Sequence, residues 1–380
     1  MKKIFLALYA KYYWFIGEKL CTMLMEKYGY GYYLRVYNDI SKVKDIKTNL
    51  LTKEQKLEID NFYKKYYGKK ISYIWHNLIM SYNNKFDVRY IPPDIFIKIR
   101  DKLNSNSKTC LMIYDKNFLY EFVKKTNVKF PKRLFYSINN LFFDSANNKI
   151  SKDDLYKQMS NIGEAFIKPS QLTNSGYARN CKLINMKDGV DVNSNTSIKE
   201  IIEDYNAKDF IVQEKIVCHK SISDIYSKSV NTFSLYTIIW NNEVKIIPKP
   251  VFKIGMGGSC TDYSGITKEG LVMGLNNDGT LFDFALCVKQ DKKYYAHPDT
   301  GFVFKNHKIF NFSKILETAK KLHSCIPWLT FCKWDITIGV DGEPIVVEVE
   351  KPSELFQKQI FYKEGFFGEN TEEMLALVKK

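Results

Sequence analysis

The sequence predicts an α+β protein in which a helical N-terminal region precedes a region built mainly from β-strands. Apolar and aromatic residues recur every three or four positions through residues 4–28 and 53–83, the periodicity of amphipathic helices. From residue 160 onward, short alternating or apolar runs typical of strands dominate. The chain has 380 residues, of which 45% are hydrophobic. It is therefore long enough to fold into two or three domains.

Local signals position the individual elements along this plan. Thr52 is predicted to cap a helix, with Gln55 at the capping-box position three residues later. A polar break at 105–109 precedes a short apolar run and the pair Asp115-Lys116. Further helices are predicted at 152–161, 197–205 and 313–324, and strands at 164–168, 209–216, 232–240 and 243–252, followed by a final hairpin.

Charge and cysteine usage narrow the class of protein. The net charge is +15, supplied mostly by lysine. A basic surface attracts phosphates, anionic glycans and nucleic acid alike, but no RNP, zinc-finger or helix-turn-helix signature indicates specific nucleic-acid recognition.

The eight cysteines form no CxxC pair and do not alternate with histidine at zinc spacing. They predict reduced thiols and a cytoplasmic location instead of a disulfide framework.

The apolar run IFLALYAKYYWFI at residues 4–16 raises the question of a membrane anchor. It is interrupted by Lys11 and is shorter than the ~20 residues that span a bilayer. We therefore expect no transmembrane segment here but an amphipathic first helix, with peripheral membrane contact as the alternative.

The segment from Cys332 to Glu350 is the most informative part of the chain. Two alternating strands flank Asp341-Gly342, a dipeptide that favours a two-residue hairpin turn. Such a turn pairs Val340 with Glu343. The same register places Asp335 opposite Glu348 and Lys333 opposite Glu350, with all four side chains on one face. The predicted buried face consists of Trp334, Ile336, Ile338, Val340, Ile345, Val347 and Val349.

An Asp and a Glu directly opposite each other need a counter-charge, because like charges across a sheet are destabilising. A divalent metal with oxygen ligands is the simplest one. A solvated outer face with a salt bridge at its rim is the alternative, since exposed acidic pairs are common.

A second group of residues has the chemistry of a phosphate site. A predicted strand delivers Lys168 to the loop SQLTNSG at 170–176, where backbone N–H groups and a glycine permit close approach of an anion. An ordinary hairpin loop with a surface lysine is the alternative. About forty residues later, Gln213-Glu214-Lys215 ends an apolar strand where the chain can hinge.

Taken in order, these segments resemble the ATP-grasp superfamily. The D-alanine:D-alanine ligases carry a DK pair, an IKPS-like lysine with a glycine-rich loop, an EK hinge, and an Asp and a Glu thirteen residues apart across a DG hairpin. This chain shows Asp115-Lys116, Ile167-Lys168-Pro169-Ser170, Glu214-Lys215 and Asp335…Glu348…Glu350 in that order. The resemblance implies two α/β subdomains that clasp ATP between antiparallel sheets, at 111–220 and 221–380, preceded by a helical N-terminal domain at 1–110.

The resemblance also assigns roles, residue by residue. Lys116 and Lys168 are expected to contact the ATP phosphates, covered by a loop that contains Ser175 and Gly176. Glu214, Lys215 and Val217, next to Gln213, are expected to line the adenine pocket. Asp335, Glu348 and Glu350 are the expected Mg²⁺ ligands, and Lys333 and Lys168 are expected to stabilise the transferring group.

A closer resemblance is to the sugar-transfer-associated ATP-grasp proteins of polysaccharide biosynthesis. It is carried by SVNT at 229–232, FKIGMGGSCTDY at 252–263, HPDTG at 297–301, the EVEKP strand and Gln359. It implies that Asn231 lies near the nucleotide and that Lys253, Gly257 and Gly258 contact the acceptor. In that family an asparagine stands where this chain has Glu350, which keeps an oxygen ligand and adds a charge.

His297 has two interpretations in this framework. It is a candidate catalytic base or substrate contact, because its unperturbed pKa is close to neutrality. It is equally consistent with a turn histidine capped by Asp299.

The expected function is that of an ATP-dependent carboxylate-amine ligase with an acylphosphate intermediate. Its substrate would be a small-molecule or glycan acceptor, a sugar or amino-acid precursor of surface polysaccharide, and its cofactors ATP and Mg²⁺. An ATP-grasp kinase that phosphorylates a sugar hydroxyl and a non-catalytic basic protein that binds anionic glycan or membrane are the alternatives. The sequence does not indicate an oligomeric state.

Overall fold

The structure is a computed structural model of the chain, and it describes residues 50–105, 112–171, 181–205, 209–262, 269–353 and 355–379. The predicted first helix at 4–28 lies outside these residues. The helices are α1 (Lys53–Tyr66), α2 (Ile74–Asn83), α3 (Pro93–Leu103), α4 (Lys116–Val123), α5 (Lys152–Met159), α6 (Ile198–Glu203), α7 (Lys220–Ser223), α8 (Phe312–Ser324), α9 (Phe356–Tyr362) and α10 (Thr371–Ala376), with a 3₁₀ turn at Gly368–Asn370.

Eight strands between residues 133 and 214 form the first antiparallel sheet, in the order β3-β2-β1-β8-β4-β5-β6-β7. They are β1 (Arg133–Ile138), β2 (Leu141–Asp144), β3 (Lys149–Ile150), β4 (Gly163–Pro169), β5 (Lys182–Lys187), β6 (Val190–Asp191), β7 (Thr196–Ser197) and β8 (Phe210–Glu214). The strands predicted at 164–168 and 209–216 are confirmed as β4 and β8.

The second sheet contains the remaining eight strands, in the order β14-β13-β12-β11-β9-β15-β16, with β10 paired to β9. They are β9 (Thr232–Trp240), β10 (Glu243–Ile246), β11 (Val251–Ile254), β12 (Leu271–Gly274), β13 (Ala285–Cys287), β14 (Lys292–Tyr294), β15 (Phe331–Ile338) and β16 (Pro344–Glu350). Two antiparallel sheets with flanking helices confirm the predicted α+β class.

Helix-forming signals in the sequence correspond closely to the observed helices. The Thr52 hydroxyl accepts from the Gln55 N–H, and the Gln55 side chain accepts from the Thr52 N–H, so the predicted capping box is confirmed.

The strand predicted at 243–252 is in fact two strands. Pro248 and Pro250 lie between β10 and β11, and proline lacks the N–H that a continuous strand needs.

The first sheet packs one face on α5 and α6 and leaves the other for the site. Ala165, Ile167 and Val212 belong to the core that these helices cover. Alternation along β4 and β8 directs the intervening residues to the opposite face. Lys168 pairs with Ile211 and Phe166 with Gln213, so Lys168 and Gln213 share that opposite face.

The helices α1 and α3 pack on one half of one face of the second sheet. Their apolar residues join Tyr236, Ile238 and Phe331 from the sheet and Phe366 from the C-terminal segment in a single core. The face they cover is the one that carries Lys333 and Asp335 further along β15, since Lys333 pairs with Tyr236 and Asp335 with Ser234. The helices therefore border the carboxylate cluster at one end.

The hairpin of β15 and β16 differs from the prediction at its turn. Gly339 N–H donates to Glu343 O and Gly342 N–H to Gly339 O, so the loop has three residues instead of two. Gly342 has φ +79°, the left-handed position that such three-residue loops require. The predicted pairing of Val340 with Glu343 is therefore wrong, and Val340 is exposed.

A bulge between the turn and the site reverses this one-residue shift. Ile336 pairs with Val346, yet Asp335 pairs with Glu348, so Val347 is the extra residue. The predicted pairing of Asp335 with Glu348, and of Lys333 with Glu350, is thereby confirmed. The same shift buries Val346 and leaves Ile345 and Val347 half-buried, contrary to the predicted burial of the latter two.

No helix among the described residues is both long and apolar enough to cross a bilayer.

Replacing Phe96 with alanine tests the shared core of helices and sheet. Phe96 is fully buried, and its ring lies 6.0 Å from that of Phe331 and 4.9 Å from that of Phe366. We expect Phe96→Ala to lower the free energy of unfolding by about 3–5 kcal/mol because it leaves a cavity. The exposed Leu57→Ala on α1 should change it by less than about 0.5 kcal/mol. Chemical denaturation monitored by circular dichroism measures both, and equal losses would contradict the shared core.

Candidate active site

Three carboxylates meet on the hairpin of β15 and β16. Asp335, Glu348 and Glu350 each offer an oxygen, and these oxygens all lie within 4.8 Å of one another. β15 lies between β9 and β16 and is therefore a central strand. Asp335 is 5% exposed, so the cluster is a partly buried feature and not the solvated outer face considered as the alternative.

The two carboxylate oxygens of Asp335 have different surroundings. Oδ2 accepts a hydrogen bond from Lys253 Nζ at 2.7 Å, and Lys333 Nζ lies 3.9 Å from it. Oδ1 is buried and has no hydrogen-bond partner among the described residues. A buried charged oxygen without a partner is costly. Carboxylate oxygens are also the preferred ligands of hard divalent cations, so this donor set fits Mg²⁺.

Lys333 and Glu350 form a second ion pair beside Asp335. Lys333 is 1% exposed, and its Nζ donates to Glu350 Oε2. The cross-strand register brings the two side chains onto the same face. Lys333 thus balances the charge of Glu350, as Lys253 balances that of Asp335.

Lys116 connects the first part of the molecule to this cluster. It is the first residue of α4, and its Nζ lies 3.2 Å from Glu348 Oε2. Asp115 caps the same helix by accepting from Asn117 N–H and Phe118 N–H. Because α4 begins here, the ammonium group is held at a defined place opposite the hairpin.

The lysine of the KPS segment is held close to the DK pair by backbone contacts. Lys116 N–H donates to Ser170 O at 2.7 Å, and the Ser170 hydroxyl donates to Asp115 Oδ2 at 3.1 Å. Lys168 lies two residues before Ser170 on β4. The Asp115-Lys116 and Lys168–Ser170 segments, about fifty residues apart in sequence, therefore lie together, and each contributes a lysine.

The ionisation of these groups shows that they share one electrostatic environment. Burial acts to raise the pKa of Glu348, but the ammonium groups of Lys116 and Lys168 outweigh it, and the pKa lies well below its usual range. Burial acts to lower the pKa of Lys116, yet the Glu348 carboxylate raises it. Burial and the neighbouring Lys116 charge lower the pKa of Lys168.

The predicted adenine segment connects the two sheets. Gln213 is buried on the face of β8 that also carries Lys168 on β4, and its amide donates to Pro131 O at 3.3 Å. Lys215 Nζ pairs with Glu164 at 2.9 Å, and Glu214 Oε1 accepts from Lys132 N–H. The exposed Val217 accepts through its carbonyl from Val340 N–H at the hairpin turn.

His297 is fully engaged in holding a glycine-rich loop. Its Nε2 lies 2.9 Å from Gly255 O, and its Nδ1 accepts from Asp299 N–H at 3.2 Å. The imidazole is 1% exposed and stacks on Tyr226, with ring centroids 4.8 Å apart. Asp299 Oδ2 in turn accepts from Gly257 N–H. This geometry matches the turn-histidine interpretation, because both ring nitrogens already have partners.

Asn231 supports the same loop from the other side. Its side-chain oxygen accepts from Gly255 N–H at 3.1 Å, and its amide donates to Tyr226 O at 2.7 Å. The loop places Gly257 and Gly258 at φ +64° and +80°, and a Cβ at either position would meet no atom of the described residues within 4 Å. Both glycines follow Lys253, which contacts Asp335, on the loop after β11.

The structure thus brings together Lys116, Lys168, Lys253, Lys333, Asp335, Glu348 and Glu350. Asn231 and His297 contact the glycine-rich loop through Gly255. The residues from Gln213 to Val217 lie along the connection between the sheets. Ser175 and Gly176 lie outside the described residues.

Two features of the site were missed by sequence reasoning. Asp262 Oδ2 accepts from Thr232 N–H at 3.0 Å and from the Thr232 hydroxyl, which fixes the loop beside Lys253. Burial raises the pKa of the Cys181 thiol to about 11, although the charge of Lys168 opposes that shift. A protonated thiol therefore lies near Lys168. Neither has a sequence signal, since both arise from contacts between distant segments.

Comparison with protein families gives this arrangement a name. The family described as sugar-transfer associated ATP-grasp matches residues 97–373, well over half of the chain. The chain belongs to this family. The ATP-grasp fold expected from the order of the motifs is thereby confirmed. No curated protein matches the sequence.

Solved structures of similar fold include several ligases. D-alanyl-alanine synthetase A from Vibrio cholerae is 12% identical with a TM-score of 0.40, over 70% of this chain and 63% of that one. The VanG D-Ala:D-Ser ligase from Enterococcus faecalis is 13% identical with a TM-score of 0.41, over 70% and 61%. The ATP-grasp ligase PsnB is 13% identical with a TM-score of 0.38, over 72% and 63%. The matched part of this chain spans just over three-fifths of the length of each of these proteins.

The lowered pKa of Glu348 predicts a specific acid sensitivity. A carboxyl whose pKa is lowered by folding stabilises the fold above its ordinary value of 4.5, and this contribution is lost as the pH falls below that value. We expect Glu348→Gln to be less stable than the natural protein near neutral pH, with the difference shrinking as the pH falls to about 3. Denaturant titrations across this range measure it. Glu203→Gln, an exposed change on α6, should alter the free energy of unfolding by less than about 0.5 kcal/mol near neutral pH. A difference for Glu348→Gln that does not change with pH would contradict the charge coupling.

Proposed function

We propose that this protein is an Mg²⁺- and ATP-dependent carboxylate-amine ligase. Its substrate would be a small-molecule or glycan acceptor, a sugar or amino-acid precursor of surface polysaccharide, and it would act in the cytoplasm. The observation that carries the proposal is the meeting of Asp335, Glu348 and Glu350 with four lysines, where one buried Asp335 oxygen has no hydrogen-bond partner within the described part of the chain. A site for transferring a highly charged group needs this combination of ligand oxygens and fixed cations.

Asp335 and Glu348 would hold Mg²⁺. Glu350 would supply a further ligand oxygen when its ion pair with Lys333 opens. Bound there, the metal would neutralise the charge of the ATP phosphoryl oxygens. Asp335 Oδ1, which no described residue hydrogen-bonds, and the spread of the three carboxylate oxygens within 4.8 Å support this assignment.

The remaining residues would bind and orient the nucleotide. Lys116 and Lys168 would contact the phosphates, with Ser175 and Gly176 in the covering loop. Gln213, Glu214, Lys215 and Val217 would line the adenine pocket, because they form the end of β8 and the connection after it, and Gln213 lies on the face of the sheet that carries Lys168. Lys116 would exchange its contact with Glu348 for phosphate oxygens.

The reaction would proceed by two displacements. A carboxylate oxygen of the acceptor attacks the γ-phosphorus, the bond to the β-phosphate oxygen breaks, and ADP leaves. An amine then attacks the acyl carbon, phosphate leaves, and the nitrogen loses a proton to give an amide. Lys168 and Lys333 would stabilise charge on the transferring group. Lys253 and the backbone at Gly257 and Gly258 would contact the acceptor, and His297 would act as a positioning residue through Gly255.

Hydroxylamine trapping tests the assignment of a ligase. An acylphosphate reacts with hydroxylamine to give a hydroxamate, whereas the phosphate ester made by a kinase does not. With a panel of amino acids and uronic-acid sugars, we expect ADP release that depends on a carboxylate acceptor, and a hydroxamate when hydroxylamine replaces the amine. Phosphorylated sugar without hydroxamate, detected by mass spectrometry, would instead establish the kinase.

Replacing Lys168 separates catalysis from stability. Lys168 is crowded by the positive charge of Lys116, so its removal relieves repulsion in the unliganded protein. We expect Lys168→Ala to lower the rate of ADP release by ~100-fold or more, because a cation aimed at the transferring group is lost. The melting temperature should not fall. The exposed Lys199→Ala on α6 is the matched control and should leave both unchanged; equal activity of the two variants would refute this placement of the phosphates.

A further inference from the structure

A second cleft lies away from the carboxylate cluster. It has a volume of about 570 Å³, within the range of small-molecule sites. Its walls come from four segments, namely the end of α2, the chain from Asn276 to Leu286, β14 with the following Tyr295, and the end of α9. It is partly open to solvent.

Aromatic rings form the floor of this cleft. The Phe284 ring lies 5.7 Å from that of Phe361 and 6.2 Å from that of Tyr295, which is 64% exposed. Phe282 adds a fourth ring, and it packs against Gly274, where a Cβ would approach its ring carbons to 2.5 Å. The glycine is therefore needed for the ring to adopt this position.

Polar and charged groups line the rim around these rings. Asn84 and Asn276 present side-chain amides, Asp283 a carboxylate, and Lys293 and Lys363 ammonium groups, all exposed. Lys293 Nζ lies 4.7 Å from the centre of the Phe284 ring, so a cation is held directly beside the aromatic floor. Among the residues that line the cleft, Lys293 and Lys363 outnumber the one carboxylate, and the Asp291 carboxylate contacts Tyr82 at its edge.

The cleft is separate from the proposed active site. β13 is the fourth strand from β15 in the second sheet, a distance of about 19 Å at the usual strand spacing. The strand register from Lys253 through Val272 and Leu286 to Lys293 places the cleft on the same face of the sheet as Asp335. The two sites therefore lie toward opposite edges of one face of the sheet.

We propose that this cleft binds an acidic saccharide. The apolar C–H face of a pyranose ring packs on aromatic rings such as Phe284 and Tyr295. Its hydroxyl groups are matched by planar amides and a carboxylate, which both offer fixed acceptor oxygens. Its carboxylate is matched by Lys293 and Lys363. The site requires no nucleotide, so this proposal is independent of the proposed reaction.

Calorimetric titration of the full-length protein with a galacturonic acid disaccharide tests this, with the matched neutral galactose disaccharide as comparison. We expect millimolar binding of the acidic disaccharide and binding of the neutral one weakened about fivefold, the value of one exposed ion pair. Tyr295→Ala should weaken binding of the acidic disaccharide about fivefold because a stacking face is lost. Lys293→Gln should weaken only the binding of the acidic form.

Trp328→Ala is the matched control, since Trp328 is an exposed aromatic residue outside the cleft. It should leave saccharide binding unchanged. No binding by the natural protein, equal affinity for the neutral disaccharide, or full affinity in Tyr295→Ala would each overturn the proposal. Mg-ATP binding measured in the same samples should be unaffected by Tyr295→Ala, which separates failure of this site from failure of the proposed function.

Discussion

The ion pair between Lys116 and Glu348 is the contact on which the arrangement of the site depends. Lys116 starts a helix that contacts both sheets, since its Asn117 donates to Ser137 O and Phe210 O of the first sheet. Its Leu119 and Val123 belong to the core of the second sheet, whose hairpin carries Glu348. Each charge is largely withdrawn from water, and each shifts the pKa of the other toward the ionised form. Breaking such a pair is costly, because an uncompensated charge is left in a region of low dielectric.

The charged groups around this pair are neutralised to different extents. Lys333 and Glu350 neutralise each other, and Lys253 binds one oxygen of Asp335. The second oxygen of Asp335 has no partner among the residues that the structure describes. Lys168 adds a positive charge that Lys116 disfavours. The unliganded protein thus contains both an excess carboxylate oxygen and an excess ammonium. A cation and an anionic ligand bound together would satisfy both, which is the electrostatic basis of the proposed Mg-ATP site.

Sequence reasoning predicted the cluster but not its surroundings. Alternation and the Asp-Gly dipeptide were sufficient to place Asp335 opposite Glu348, although the turn has three residues and Val347 is a bulge. The two departures cancel at the site, so the correct pairing followed from an incorrect turn. The contact of Lys253 with Asp335 and the full engagement of His297 had no sequence signal, because each depends on loops that meet only in the folded chain. The capping box at Thr52 was predictable since it is entirely local.

The dependence of ATP binding on Mg²⁺ and on Glu348 tests the central claim most directly. Thermal unfolding of the natural protein with Mg-ATP at ~100 times its dissociation constant should show about 2.7 kcal/mol of added stability. We predict that most of this gain is lost when EDTA removes Mg²⁺, and that Glu348→Gln lacks the Mg²⁺-dependent part. ATP stabilisation that is equal with and without Mg²⁺ and unchanged in Glu348→Gln, or no stabilisation of the folded protein at all, would contradict the account.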